Sequence, residues 1–250
     1  MINFLTEVIK MSIQSVFKRY ELKYLITREQ KRKIIEALIP YMEMDEYGRT
    51  TIRNLYFDTD DYRIIRHSIE KPIFKEKLRI RSYEKANPEG KVFVELKRKY
   101  NSIVYKRRCL VGEKEAFDWI TGNEKREDKS QITKEINYFL GHYNGLSPKV
   151  FLSYEREAFR MKDESDFRVT FDENILCREE ELSLEKDVWR TPLLSDGEIL
   201  MEIKCSSGIP IWMTNILSQQ HIYKTSFSKY GMAYKNIIYP KLKEETKNVG

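Results

Sequence analysis

Three consecutive stretches decide the fold: KEKLRIRSYE (75–84), KVFVELKRKY (91–100) and SIVYKRRCLV (102–111). In each of them apolar and charged residues alternate, so one face of an extended chain is apolar and the other is charged, as in a half-buried β-strand. NPEG (87–90) separates the first two stretches and a turn at Asn101 separates the last two. Because turns this short join neighbouring antiparallel strands, the sequence predicts a three-stranded meander.

Similar alternation recurs on both sides of this meander, interrupted by helical patterns. Thr27 followed by Gln30 has the spacing of a capping box and predicts a helix that Pro40 ends. The other predicted strands are 17–26, 50–59, 149–162, 166–178 and 197–207. The other predicted helices are 60–70, 113–121, 131–143 and a segment that starts at Pro210. These patterns predict one α+β domain with about eight strands and four or five helices.

The domain is expected to span residues 17–240. Residues 1–16 are interpreted as an N-terminal extension that contains an alternative start at Met11, and residues 241–250 as a frayed tail. The chain has 250 residues, of which 41% are hydrophobic, enough for an ordinary core, so intrinsic disorder is excluded. No stretch approaches the roughly 18–20 uncharged apolar residues of a membrane span, and no signal peptide is recognised, so a cytoplasmic protein is expected.

The cysteines and the charges bear on the kind of site. The chain has 3 cysteines, far apart and without CxxC spacing, which indicates neither a disulfide framework nor a thiolate zinc site. On the strands the charged faces have one dominant sign. Their cations are Arg79, Arg81, Lys97, Lys99, Lys106, Arg108, Arg156, Arg168 and Lys204, against Glu95, Asp172 and Glu202. Like charges on adjacent strands repel, and an anionic, phosphate-rich ligand would compensate them.

Two arrangements of these faces remain open at this stage. The charged faces can point into water, as in any half-buried antiparallel sheet. If the strands curl into a barrel, they can instead point inward and line a basic channel, while the apolar faces pack against helices. Periodicity alone does not choose between them.

The order and spacing of nine short motifs resemble those of the catalytic domain of the vacuolar transporter chaperone (VTC) complex, a polyphosphate polymerase. The motifs are YELKYLI, NLYFDT, KLRIRSY, VFVELKR, YKRR, SYEREAF, RVTFD, LMEIK and FSKYGMAY. That domain belongs to the CYTH-like, or triphosphate tunnel metalloenzyme, group. The resemblance implies an antiparallel β-barrel, surrounded by helices, whose tunnel is lined with basic and acidic side chains.

The resemblance also implies roles for individual residues. Catalytic residues that hold the nucleotide triphosphate would be Arg79, Arg81, Lys97, Arg156 and Arg168. Further phosphate- or polyphosphate-binding residues would be Lys23, Lys99, Lys106, Arg108, Lys204, Ser228 and Lys229. The metal ligand for Mn²⁺ or Mg²⁺ would be Glu202, with Glu95 as an additional candidate. Ion pairing with neighbouring Lys or Arg is the alternative role of both glutamates, and Asp58 in NLYFDT is interpreted as structural.

The implied reaction transfers the γ-phosphate of ATP to pyrophosphate or polyphosphate and releases ADP. Two alternatives stay open: a metal-dependent triphosphatase of the same group, and a non-enzymatic module that binds polyphosphate. Specific nucleic-acid binding is disfavoured because neither a recognition helix nor an RNP-like strand is present. The tunnel group has an ExExK strand where this chain offers only Glu21-x-Lys23, which favours the polymerase branch. The family also suggests a membrane-protein partner, whereas the lack of a membrane-spanning stretch in this sequence predicts no direct membrane insertion.

Overall fold

The computed structural model describes residues 20–87, 89–206 and 208–248. The strands are β1 (Tyr20–Thr27), β2 (Met42–Met44), β3 (Thr50–Asp58), β4 (Phe74–Ser82), β5 (Lys91–Tyr100), β6 (Ile103–Gly112), β7 (Ser147–Met161), β8 (Arg168–Arg178), β9 (Thr191–Pro192), β10 (Glu198–Cys205) and β11 (Lys224–Thr225). The helices are α1 (Arg28–Leu38), α2 (Arg63–Ile69), α3 (Glu113–Thr121), α4 (Gln131–Tyr143), α5 (Ile211–Gln219), α6 (Lys229–Ala233) and α7 (Tyr239–Asn248), with a π-helical turn (Tyr234–Ile238) between the last two. The interpretations of residues 1–16, of Met11 and of a strand start at Phe17 lie outside the described residues.

All the strands join one antiparallel sheet in the order β11-β1-β10-β8-β7-β3-β4-β5-β6, with β2 beside β7 and β9 beside β8. The predicted meander is confirmed as β4-β5-β6. Its register places Lys77 opposite Lys97, and Lys97 opposite Lys106. The predicted hairpin of β7 and β8 is also confirmed.

The apolar faces of the strands lie on the outside of the curled sheet, against the helices. Leu78, Val94 and Leu96 of β4 and β5 are almost fully buried and belong to one hydrophobic cluster with Trp119 of α3 and Phe139 of α4. A second cluster joins β1, β8 and β10 to α1 and α5. Since the side chains of a strand alternate between faces, the charged residues point into the curl. The inward arrangement left open by the sequence is therefore the observed one.

The curl brings the two ends of the sheet together without pairing them along their length. Cα atoms of β1 and β6 approach within 8 Å, but among the described residues β6 ends the hydrogen-bonded strand order. On its free side β1 pairs only with the short β11, through Lys23 and Tyr24. We call the space inside this curl the barrel interior and the gap between β1 and β6 the seam.

The C-terminal helices pack onto the domain through a buried carboxylate. Asp58, at the end of β3, accepts hydrogen bonds from the backbone N–H groups of Thr59, Ile64 and Ile65, which holds the start of α2. It also accepts one from the hydroxyl of Tyr230 in α6, at 2.9 Å. The structural interpretation of Asp58 agrees with these contacts, and the same contacts place the start of α6 beside the barrel interior.

The structure differs from the sequence predictions at short elements and at the C-terminus. The predicted number of strands is too low because β2, β9 and β11 have only two or three residues each. Such short strands show no recognisable alternation of apolar and polar residues. Where the sequence analysis expects a tail from residue 241, the structure has α7, which extends to Asn248. Leu242 packs against the hydrophobic cluster that contains Tyr230, and Lys241 pairs with Glu179, so this helix has tertiary contacts that stabilise it.

Candidate active site

The barrel interior carries the charged residues that the sequence analysis singled out. Glu95 and Asp172 have no exposed surface, and Glu202 is 4% exposed. Buried carboxylates persist in a fold only where cations or hydrogen bonds compensate their lost hydration. In this interior the compensation comes from lysines and arginines on neighbouring strands, which form two clusters.

The first cluster surrounds Glu95 of β5. Arg79 donates to its Oε2 through Nε at 2.9 Å and Nη2 at 2.7 Å. The Nε atom of Arg81 lies 3.7 Å from the same oxygen, and Nζ of Lys106 lies 3.5 Å from Oε1. Burial raises the pKa of Glu95, but Arg81 and Arg79 outweigh it and hold the pKa well below its usual value. Glu95 is therefore ionised and fixes the orientation of Arg79, whereas Arg81 is oriented by its hydrogen bonds to Asn54 at 2.9 Å and Tyr154 at 3.0 Å.

The second cluster is built on Asp172 of β8 and Glu202 of β10. Arg156 donates to both oxygens of Asp172, at 2.6 and 2.7 Å, and lies 3.3 Å from Glu202. Lys23 approaches Glu202 at 3.1 Å. Lys229, at the start of α6, enters from the C-terminal side and pairs with both carboxylates. Despite burial, Lys23 and Lys229 hold the pKa of Glu202 well below its usual value.

Several interior cations remain undercompensated. Lys77 forms no ion pair with any of the described residues, and its Nζ donates to the hydroxyl of Ser228 at 2.7 Å. Burial and the charges of Lys23 and Lys97 lower its pKa to about 7. Burial lowers the pKa of Lys106 to about 8, and burial with the charge of Arg156 lowers that of Lys204 to about 8. A polyanion entering this space would replace the missing counter-charges.

The other predicted residues lie along the seam and at the rim. Lys97 donates to Glu21 of β1 at 2.7 Å, and this ion pair links β5 to β1 across the seam. Lys99 follows on the same face, and its pKa is lowered by burial. The guanidinium of Arg108 lies over the ring of Phe93, 5.0 Å from its centroid. Arg168 has a side chain that is 42% exposed and pairs with Asp45 at 3.6 Å, so it lies at the rim rather than in the interior.

Most of the chain matches one protein family. The family model of the VTC domain matches residues 18–238. The chain belongs to the VTC domain family. The resemblance inferred from the ordered motifs is thereby confirmed. Among curated protein sequences, none matches this chain. No helix in the described part of this VTC domain is long and apolar enough to span a membrane.

Solved structures with a similar fold have low sequence identity to this VTC domain. A candidate adenylate cyclase from Bacillus halodurans is 17% identical, with a TM-score of 0.54, over 86% of this chain and 96% of that one. A candidate adenylyl cyclase from Hippeastrum, whose structure is described as revealing a dominant triphosphatase activity, is 16% identical, with a TM-score of 0.49, over 86% of this chain and 93% of that one. At this identity the similarity to the Bacillus halodurans structure supports the predicted α+β fold but does not indicate an activity.

The structure also brings residues into the interior of the VTC domain that the sequence analysis did not assign to the site. They are Glu21, Lys75, Lys77 and Asp172. They could have been predicted from the alternation of side chains along a strand, since each lies two or four residues from an assigned residue and so on the same face. The same alternation separates the residues of the YKRR motif between the two faces of β6. Lys106 faces Glu95 inside, whereas Arg107 pairs with Glu135 outside.

The interior carboxylates can be tested for their fit to a divalent ion. No group of three or more candidate protein ligands is found among the described residues. Mg²⁺ and similar ions in phosphate-binding sites commonly take one or two carboxylates and complete their coordination with phosphate oxygens and water. Glu95 fits that role, because its Oε1 is buried and accepts no hydrogen bond from the described residues, with only Nζ of Lys106 near it, at 3.5 Å. Glu202 would have to exchange its contacts with Lys23 and Lys204 for such an ion.

Proposed function

We propose that this VTC domain is an ATP-dependent polyphosphate polymerase. It would transfer the γ-phosphate of ATP to a growing polyphosphate chain inside the barrel and release ADP. Two things support the proposal: membership of the VTC family and the charge of the barrel interior. The observation that carries it is the set of interior cations without matching carboxylates, of which Lys77 is the clearest case.

The chemistry asks little of the protein beyond positioning and charge. A terminal oxygen of the acceptor phosphate attacks the γ-phosphorus, a new P–O bond forms, and the bond to the β–γ bridging oxygen breaks as ADP leaves. Negative charge spreads over the equatorial oxygens in the transition state. Fixed cations in a water-poor site stabilise that charge without reorganising. No protein nucleophile takes part.

Within this proposal, the assigned arginines and lysines divide into two roles. The triphosphate would be held by Arg79, Arg81, Lys97 and Arg156, with Arg168 at the rim where an anion enters. Two hydrogen bonds from Arg79 to Oε2 of Glu95 and the bidentate contact of Arg156 with both oxygens of Asp172 fix the direction of each guanidinium before any ligand arrives. The growing chain would be guided by Lys23, Lys99, Lys106, Arg108, Lys204, Ser228 and Lys229.

A Mn²⁺ or Mg²⁺ ion belongs to the proposal as a cofactor. Glu202 and Glu95 are the residues that would hold it, and the bound ion would supply charge neutralisation to the phosphate oxygens. Neither carboxylate needs to lose a proton for this, since neighbouring cations hold the pKa of both well below the usual value.

The test incubates the purified protein with ATP, Mn²⁺ and pyrophosphate and resolves the products by gel. We expect a ladder of polyphosphate with ADP formed in step, and loss of both in Arg79→Ala and Glu202→Ala. Arg28→Ala is the control, because Arg28 is on the surface with a side chain that is 74% exposed. Phosphate release without chains would assign the triphosphatase activity instead. Binding of polyphosphate without turnover would instead identify the protein as a non-enzymatic polyphosphate-binding module.

A cytoplasmic location and a membrane-protein partner also belong to this proposal. The partner rests on the resemblance to the VTC complex, and the location rests on the sequence pattern alone. Copurification of the tagged chain from the membrane fraction after mild detergent extraction would support the partner, and exclusive recovery from the supernatant would contradict it.

A further inference from the structure

A second cavity lies on the outside of the sheet, away from the barrel interior. It has a volume of about 400 Å³ and lies over β3, β7 and β8. Its lining includes Thr51, Arg53, Ser153, Glu155, Asn174 and Val188. The segment after β8 contributes Val188 to the lining. Arg178 holds this segment in place by donating to the backbone carbonyls of Glu181, Ser183 and Asp187.

Two polar atoms beside this cavity have no hydrogen-bond partner among the described residues. Arg53 lies directly opposite Ser153 in the pairing of β3 with β7. The Nε atom of Arg53 and the hydroxyl of Ser153 are both buried and make no hydrogen bond within the described chain, and Ser153 has no exposed surface. Buried polar groups are nearly always hydrogen-bonded in native proteins, and orphans are found where a ligand or water supplies the partner.

Among the described residues, no carboxylate forms an ion pair with Arg53. Glu155, which also lines the cavity, already accepts from Arg49 at 2.8 Å and from Asn174 at 3.1 Å. Asp187 acts on Arg53 electrostatically from a distance, and its Oδ1 is bound to Lys85 at 2.6 Å. Burial consequently lowers the pKa of Arg53. The cavity thus contains a guanidinium whose positive charge is poorly compensated and, beside it, a hydroxyl donor.

We propose that Arg53 and Ser153 bind a small oxyanion, a phosphate or carboxylate group, in this outer cavity. A guanidinium presents parallel N–H donors that match two oxygens of such a group, and the adjacent hydroxyl donates to one of them. The site is separate from the barrel interior, because the next residue, Asn54, faces the other way and accepts from Arg81 at 2.9 Å. The proposal therefore does not rest on the polymerase function.

The test follows the side-chain Nε–Hε signal of Arg53 by NMR during titration with inorganic phosphate, and in a parallel arm with acetate, at constant ionic strength. The signal is identified by its loss in Arg53→Lys. We expect a saturable shift with a Kd of about 1 mM, typical of a ligand held by few contacts. Movement with phosphate alone assigns a phosphate site, and movement with both assigns a general oxyanion site. An Arg53 signal that stays in place in both arms up to about 50 mM, far above the expected Kd, overturns the proposal.

Ser153→Ala supplies the second variant. Its hydroxyl makes no hydrogen bond to the protein, so the variant is expected to fold with unchanged stability. It should weaken phosphate binding at Arg53 about tenfold, which equals about 1.4 kcal/mol. The signals of the interior arginines should keep their wild-type response to phosphate. An unchanged Kd at Arg53 in this variant would exclude Ser153 from the site and refute the paired arrangement.

Discussion

Replacing Lys77 by methionine is expected to stabilise the ligand-free protein and to weaken its binding of tripolyphosphate. Burial and the neighbouring charges of Lys23 and Lys97 lower the pKa of Lys77 from 10.5 to about 7. At neutral pH the folded protein therefore holds a charge at a free-energy cost that the unfolded chain does not have. Methionine keeps the length of the side chain and removes the charge.

The size of the effect follows from the pKa. A fall from 10.5 to about 7 corresponds to an upper limit of roughly 5 kcal/mol, at about 1.4 kcal/mol per pH unit. Solvent that reaches the interior screens the repulsion, so we expect a gain of about 1–3 kcal/mol in the free energy of unfolding. For a chain of this size that gain raises the Tm by about 2–10 °C.

The gain depends on pH in a defined direction. The pKa of Lys77 is lower in the folded state, so between about pH 7 and 10.5 the unfolded chain binds more protons at this site. In that range the wild-type protein loses its penalty as the pH rises. The stability difference between Lys77→Met and wild type is therefore largest near pH 6.5 and shrinks towards pH 9, a sign that follows from linkage.

The assay is calorimetric unfolding in phosphate-free buffer at both pH values, followed by titration with tripolyphosphate at about pH 7. Lys77→Met should bind about tenfold more weakly, because one charge-assisted contact is lost. Lys149→Met is the matched control: Lys149 is also largely buried but pairs with Asp60 at 2.7 Å, so its loss should bring no stability gain. Equal stability of wild type and Lys77→Met at the lower pH, or a difference that does not vary with pH, would refute the reasoning.

Three further substitutions test other parts of the fold. Asp58→Asn should lower the free energy of unfolding by about 2–3 kcal/mol in urea titrations, since Asp58 accepts hydrogen bonds from the start of α2 and from Tyr230; a loss below about 0.5 kcal/mol would contradict the anchoring role. Glu21→Gln breaks the seam contact with Lys97 and should cost about 1–3 kcal/mol. Because cations lower the pKa of Glu21, this loss should be complete above about pH 4.5 and fade below it, and a loss that persists in acid would exclude the ion pair as its cause. Thr27→Ala removes half of a capping box and should lower the Tm by an amount equivalent to about 1 kcal/mol, and an unchanged melting curve would show that the cap contributes nothing.

The local elements could be predicted from the sequence because each rests on a local pattern. Alternation in β5 and a capping box at Thr27 depend on residues that are neighbours in the chain. The direction of the charged faces could not be predicted in this way. It depends on α3 and α4 covering the apolar side of β4 and β5, which is a contact between distant segments.

The candidate site shows the same division. Arg156 and Glu202 belong to recognisable motifs, whereas their meeting at Asp172 requires the registers of β7 with β8 and of β8 with β10. Lys77 stands two residues before Arg79 on the same face, so periodicity alone places it inside. Its importance comes from the lack of an acidic partner among the described residues, which only the packed structure reveals.

The seam leaves β6 as a free edge, and free edges invite strand addition by a second molecule. Along this edge the described structure provides no hydrogen-bonded partner strand. β6 carries Lys106, Arg107 and Arg108 in succession, so an added copy of the same strand would bring like charges face to face. The basic residues of β6 thus oppose edge-to-edge aggregation of an incompletely closed sheet. This effect does not depend on a bound anion.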